Sequence, residues 1–154
     1  MTVRPSRKAT VPVTERHRGR EAAVQMLYQW EVGRLPLEEV RRVWGAMTHD
    51  GDADPITPDL AAFAASLAEG VVAHVAELDP LISEAAAHWR IERMNVLDRL
   101  VLRLAVYEFL HQPDTPATVI INEALELARA FSSDEAVPFV NGILDAIKRR
   151  LERT

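Results

Sequence analysis

The chain has 154 residues, about the size of one domain, and its composition of 48% hydrophobic and 27% charged residues is typical of a folded globular protein. It contains no cysteine, which excludes disulfides, thiolate metal sites and cysteine nucleophiles and favours a reducing, cytoplasmic location. Residues 60–76 form one of the most apolar stretches, but Ser66, Glu69 and His74 interrupt it. We therefore expect no membrane partner.

The charge is unevenly distributed along the chain. The net charge is -5, yet the first 20 residues carry +5, so the remaining 134 carry -10. Binding of a polyanion depends on the local basic cluster and not on the total charge. We expect residues 1–13 to be a flexible basic tail and residues 14–154 to form a single helical RNA-binding domain.

Apolar residues recur at spacings of three and four throughout, so the sequence predicts an all-α fold of about seven helices in a compact bundle. Pro80 is expected to begin a short fourth helix, Leu81 to Trp89. The apolar stripe after Pro36 places Val43 on an inward face, and the last two predicted helices contain Val119 and Phe139 among their apolar residues. The expected helix starts share capping or first-turn residues: Thr14, Pro36, Thr57-Pro58, Asp79-Pro80, Asn95 with Asp98, Thr115-Pro116 and Ser132 to Asp134.

The motifs of common enzymes are absent from the sequence. It has no glycine-rich phosphate loop and no nucleophile elbow. The five histidines show no pair at metal-ligand spacing: His17, His49, His74, His88 and His111. The sequence therefore predicts a non-enzymatic protein with no cofactor and no metal.

The segment RHRGRE, residues 16–21, is the one strong chemical signal in the sequence. Its basic side chains cover more than one side of a helical turn and can contact phosphates and base edges together. Cations at a helix N-terminus oppose the helix dipole, at a cost of a few tenths to about 1 kcal/mol each. That cost favours a binding role, although a solvated basic face remains an equal alternative from these residues alone.

Several segments resemble the NusB family in order and spacing, from about residue 14 to 150. They are RHRGREAAVQMLYQWEVG at 16–33, ERMNVLDRLVLRLAVYEFL at 92–110, DTPATVIINEALELARAF at 114–131 and FVNGILDAI at 139–147. The resemblance implies an all-helical fold of two small subdomains. It also implies a transcription antitermination factor that binds single-stranded boxA RNA of ribosomal RNA operons together with the ribosomal protein NusE and joins RNA polymerase.

The resemblance also implies site residues, carried over by position. Arg16, His17, Arg18 and Arg20 match the arginine-rich RNA-binding motif of the family, and Glu92 and Glu135 match further positions on the RNA surface. The face that meets NusE is matched by Tyr28, Asp98 and Arg103. His17 stands where an arginine is common, and Glu135 stands where we expect aspartate, so these two contacts depart from the pattern.

Two alternatives from other classes remain open. The helical body could be a protein-protein adaptor whose basic segment does not bind RNA. A similar helical domain also occurs at the N-terminus of RNA cytosine methyltransferases, but their chemistry needs a cysteine nucleophile, and this chain has no cysteine. RNA binding measured with and without the ribosomal protein distinguishes these hypotheses.

Overall fold

A computed structural model describes residues 11, 13–46, 56–87 and 90–154 of the chain. The described residues form α-helices and one short 3₁₀ turn, and they contain no β-strand, which confirms the all-α prediction. The elements are α1 (Val13–Glu31), α2 (Leu37–Ala46), α3 (Pro58–Ala85), the 3₁₀ turn (Ile91–Arg93), α4 (Val96–His111), α5 (Ala117–Phe131) and α6 (Ala136–Arg150). The predicted flexible tail lies outside the described residues, apart from Val11 and the backbone of Val13.

The expected separate fourth helix is not found, and the described residues hold six α-helices instead of seven. Pro80 lies inside α3, which continues through it to Ala85. A proline within a helix removes one backbone hydrogen bond. Leu78 and Ile82, on either side of Pro80, are both fully buried, and their packing supports the helix through this point. Trp89, the expected end of the fourth helix, lies outside the described residues.

Contacts within the chain divide it into two compact units, residues 1–67 and 68–154, and the division falls within α3. In the first unit, α1 packs on α2, and the fully buried side chains include Met26, Leu27 and Val40. The Phe63 ring lies against Gly19, where an added methyl group would overlap it. The first unit is therefore a small helical core in which Gly19 allows a close contact.

In the second unit, α4, α5 and α6 pack against one another in all three pairs. Fully buried leucines come from each of these helices, for example Leu100, Leu127 and Leu144. All residues of α4 from Leu100 to Val106 are buried, so α4 is the central helix of this unit, as its apolar sequence predicts.

The C-terminal residues are part of the second unit. Arg153 donates to the backbone carbonyls of Phe109, Gln112 and Thr115 at 2.8–2.9 Å. The backbone N–H of Ala117 donates to the carbonyl of Thr154 at 3.0 Å. These bonds hold the end of the chain on the connection between α4 and α5.

Three of the expected caps are confirmed. Thr57 Oγ1 accepts from the Leu60 N–H at 3.1 Å, Asn95 Oδ1 from the Leu97 N–H at 2.9 Å, and Ser133 Oγ from the Ala136 N–H at 3.2 Å. The start of α5 differs: the helix begins at Ala117, one residue after the expected proline, and Pro116 provides no side-chain cap.

The predicted burial of Val43 is wrong, because its side chain is exposed, and the side chains of Val119 and Phe139 are exposed as well. In each case the next residue along the helix is buried instead, namely Trp44, Ile120 and Val140. Successive helical residues differ by about 100° around the axis, so one of two neighbouring residues can be buried while the other is exposed.

By length and composition alone, α3 could cross a membrane, contrary to the sequence expectation. Its most apolar side chains, including Leu60, Leu67 and Leu78, are instead buried within the protein. The intervening polar side chains are at least partly exposed. Packing within the protein therefore accounts for part of the hydropathy of α3, since 39% of its most apolar window is buried.

Candidate nucleic-acid and partner surfaces

The basic segment predicted from the sequence lies in the first two turns of α1, where Arg16, His17 and Arg18 are partly exposed. Arg18 lies 3.6 Å from Glu15, and His17 lies 3.7 Å from Glu21, both within the same helix. Ion pairs of this kind on a helix surface contribute only about 0.3–0.5 kcal/mol. They can therefore be exchanged for phosphate contacts at little cost.

Arg20 differs from the other basic residues of this segment. Its side chain is only 3% exposed, next to the close contact at Gly19. A guanidinium buried to this degree interacts mainly with its own protein. Three basic side chains of the segment, Arg16, His17 and Arg18, are therefore accessible to a ligand. The fourth, Arg20, is packed within the first unit.

The two acidic residues matched to the RNA surface both lie in the second unit and are exposed. Glu92 is in the 3₁₀ turn, and Glu135 directly precedes α6. Exposed carboxylates can accept hydrogen bonds from the amino groups of bases, so both residues are available for sequence-dependent contacts.

One exposed surface near Glu135 was missed in the sequence. Phe139 is 38% exposed, and Gly142 is exposed with no described atom within 4 Å of an added methyl group. Glu135, Phe139 and Gly142 follow at spacings of four and three, so they share one side of the helix, which we call the α6 surface. An exposed aromatic ring can stack on a base, and a glycine allows a close backbone approach. A glycine in the middle of a helix was the signal that could have revealed this surface.

On the first unit, Tyr28 lies near the end of α1 and is 40% exposed. Val32, one helical turn further on, is also exposed. An exposed tyrosine beside an exposed apolar side chain is typical of contact sites between proteins.

In the second unit, Asp98 is 9% exposed, and its Oδ1 has no hydrogen-bond partner among the described atoms. Asn95 alone provides the cap that we had expected Asp98 to share. Arg103 is 5% exposed and forms two hydrogen bonds of 2.8 Å to the carboxylate of Asp79. Asp98 therefore has an unsatisfied acceptor, and the Arg103 side chain, although bound to Asp79, has an unsatisfied donor at Nη1 among the described atoms.

Sequence comparison relates this chain to known proteins. The sequence profile of the NusB family matches residues 17–149. The chain belongs to the NusB family. A transcription antitermination protein NusB of Solibacter usitatus is 42% identical over 139 residues, covering 90% of this chain and 92% of the relative. The protein of the same name from Bacillus subtilis is 37% identical over 140 residues, covering 91% and 99%.

Solved structures agree with this assignment. T. maritima NusB superposes with a TM-score of 0.76 at 34% identity, covering 90% of this chain and 92% of the other. A chain from a crystal structure of the antitermination factors NusB and NusE in complex with dsRNA gives a TM-score of 0.75 at 24% identity, covering 90% and 99%. At that identity the second match supports the fold alone.

Proposed function

We propose that this protein binds boxA-type RNA of ribosomal RNA operons together with the ribosomal protein NusE and, as part of the RNA polymerase antitermination complex, promotes processive transcription. The observation that carries the proposal is the partly exposed basic cluster of Arg16, His17 and Arg18 within a family match that covers residues 17–149. Exposed arginines at a helix N-terminus stabilise a bound polyanion better than they stabilise the helix. The two compact units then correspond to the two helical subdomains that the family resemblance implies.

The RNA surface that we propose has two parts, one on each unit. Arg16, His17 and Arg18 provide phosphate contacts and most of the salt-dependent affinity. Glu92 and the α6 surface provide base contacts through exposed carboxylates and the Phe139 ring. Arg20 belongs to this surface through its position in the motif, and its burial supports an indirect contribution that keeps α1 packed.

For NusE we propose contacts at Tyr28 and Asp98. The exposed ring of Tyr28 and its apolar neighbour Val32 supply area that a partner can bury. A buried carboxylate oxygen without a hydrogen bond is costly, and a donor from a partner would satisfy it at Asp98. Arg103, the third residue matched to this face, is buried against Asp79, which supports a positioning role rather than direct contact.

We propose that the protein has no catalytic activity and acts in the cytoplasm. The match covers 92% and 99% of the two antitermination proteins described above, so the chain corresponds to nearly all of each one. The absence of cysteine also removes the nucleophile of the related methyltransferases.

The experiment measures the fluorescence anisotropy of labelled boxA RNA in three titrations: with this protein alone, with NusE alone and with the two proteins together. A labelled RNA of scrambled sequence serves as the control for specificity. We expect the pair to bind boxA more tightly than either protein alone. The variant Arg16→Ala/Arg18→Ala should bind more weakly, with a salt slope flatter by about 1.4, since each phosphate contact on a single strand contributes about 0.7.

The matched control is Arg42→Ala/Arg149→Ala, which removes the same charge from two exposed arginines, each with a carboxylate neighbour on its own helix. This control should leave the slope unchanged. If both double variants retain the full affinity and slope while NusE still binds, the protein is an adaptor without direct RNA binding, and the proposal fails.

A further inference from the structure

The second unit contains a cluster of histidine and carboxylate side chains that are not among the proposed RNA-binding and partner-binding residues. His74 and Glu77 lie in α3, and His111 is the last residue of α4. One potential ligand atom from each lies within 4.8 Å of the other two. The sequence did not predict a metal site because His74 and His111 are far apart in the chain and meet only through helix packing.

The His74 ring is held from two sides. Its Nδ1 lies 2.7 Å from the backbone carbonyl oxygen of Gly70. A carbonyl can only accept, so Nδ1 carries the hydrogen, and the lone pair of Nε2 is free to bind a cation. The Tyr107 ring packs against Gly70 and lies 5.7 Å from the His74 ring, between centroids. An imidazole that donates one N–H to a carbonyl has the orientation usual for histidines that bind metals.

The other two side chains lie beside the His74 ring. The His111 ring lies 4.2 Å from the His74 ring and stacks on Tyr107 at 5.0 Å, again between centroids. His111 Nε2 lies 3.0 Å from Glu77 Oε1. A hydrogen joins these two atoms in the metal-free protein, and a divalent cation can replace it because neutral imidazole and carboxylate are both metal ligands.

We propose that His74, Glu77 and His111 bind a zinc ion, with water in the fourth position. Two imidazoles and one carboxylate are a donor set that Zn²⁺ accepts, whereas Ca²⁺ and Mg²⁺ prefer oxygen ligands alone. Ligand atoms on a tetrahedral zinc lie roughly 3.3 Å apart, given bonds of about 2.0–2.1 Å. The site closes by small rotations of the partly exposed Glu77 and His111 side chains.

A zinc ion at this site links α3 to the end of α4. Because the ligands meet only in the folded protein, the ion binds the native state and stabilises it. The site thus makes the stability of the second unit depend on zinc, separately from RNA or partner binding.

The test is a titration of the full chain, free of any affinity tag, with ZnCl₂ against a chromophoric chelator and by calorimetry. We expect one ion per chain. His74→Ala and His111→Ala should each weaken zinc binding strongly, because each removes a ligand. Loss of an outer-shell partner already lowers metal affinity roughly 10- to 100-fold, so we expect at least that effect. His17→Ala is the matched control, since His17 also has a carboxylate neighbour, Glu21, but belongs to no three-ligand group among the described residues. This variant should bind zinc as the unchanged chain does.

Thermal unfolding and the variant Glu77→Gln provide two further tests. Thermal unfolding should shift upward with ZnCl₂ in the unchanged chain and not in His111→Ala. Glu77→Gln changes an exposed side chain, so it should fold normally, and it should weaken zinc binding. The proposal is overturned if the chain takes up no stoichiometric zinc, or if folded Glu77→Gln and the histidine variants bind zinc as tightly as the unchanged chain.

Discussion

The first turns of α1 and the helix α4 both contain charged residues that the family resemblance assigns to functional surfaces. These residues differ in their exposure and in their interactions within the protein. In α1, Arg16, His17 and Arg18 are partly exposed, and His17 and Arg18 lie 3.7 and 3.6 Å from carboxylates of their own helix. In α4, Asp98 and Arg103 are buried, and Arg103 is bound to Asp79 of α3.

The difference shows that a charged residue at a family position can serve the fold, the ligand or both. An exposed guanidinium loses little when it exchanges a neighbouring carboxylate for a phosphate. A buried guanidinium that loses its partner leaves an uncompensated charge in the interior. Exposure and existing partners therefore decide which of the matched residues can act directly on RNA or NusE.

The largest expected effect is on stability and concerns the ion pair between Asp79 of α3 and Arg103 of α4. Asp79→Ala leaves the buried charge of Arg103 without its carboxylate, and we expect it to lower the free energy of unfolding by about 3 kcal/mol. Arg18→Ala should change it by less than about 0.5 kcal/mol. Urea unfolding of both variants measures the comparison. The double variant Asp79→Leu/Arg103→Met should regain much of the loss, and equal losses for Asp79→Ala and Arg18→Ala would contradict the distinction.

The next effect separates Arg20 from its neighbours within α1. Arg20→Met should lower the free energy of unfolding by about 1–3 kcal/mol, because a buried charged group loses its interactions. It should leave the salt slope of RNA binding unchanged. Arg16→Met should do the opposite, with normal stability and a slope flatter by about 0.7. If folded Arg20→Met gives a flatter salt slope of RNA binding, Arg20 contacts a phosphate directly.

Most of the fold could be predicted from the sequence, because helical spacing, caps and proline positions are local properties. The failures needed long-range information. Pro80 looks like a helix start until Leu78 and Ile82 are found buried on either side of it, and the exposure of Phe139 depends on the register of α6 against α5. The basic cluster was visible in the sequence, but only packing distinguishes Arg20 from Arg16.

At the other end of α1 the expected effect is on partner binding. Tyr28→Ala should weaken NusE binding by about 1–2 kcal/mol, since a truncated interface tyrosine commonly costs that much. Its stability cost should be about 1 kcal/mol, because the ring is 40% exposed. Val43→Ala, which shortens another exposed apolar side chain of the same unit, should leave NusE binding intact. Calorimetry with NusE and urea unfolding test both, and unfolding of Tyr28→Ala would place the ring in the core instead.

The α6 surface provides a case without basic residues. Gly142→Ala should raise the free energy of unfolding by up to about 1 kcal/mol, because alanine favours a helix and meets no described atom there. RNA affinity should nevertheless fall if the backbone approaches a bound nucleotide. Gly45→Ala in α2, where an added methyl is equally unopposed, should leave RNA affinity unchanged. Equal RNA binding by the two variants would limit the RNA surface to α1, Glu92 and Glu135.

The smallest expected effect is at His17, where the family resemblance led us to expect arginine. His17→Arg adds a fixed charge between Arg16 and Arg18, so the salt slope of RNA binding should become steeper by about 0.7. Stability should fall by only a few tenths of a kcal/mol, the dipole cost of one exposed cation, and Glu21 remains within reach on the next turn. The control Gln25→Arg adds the same charge to an exposed position about 12 Å further along α1. Because screening at physiological salt acts over about 8 Å, that charge should leave the slope nearly unchanged. If the two variants steepen the slope equally, total charge rather than the position of the basic cluster governs RNA binding.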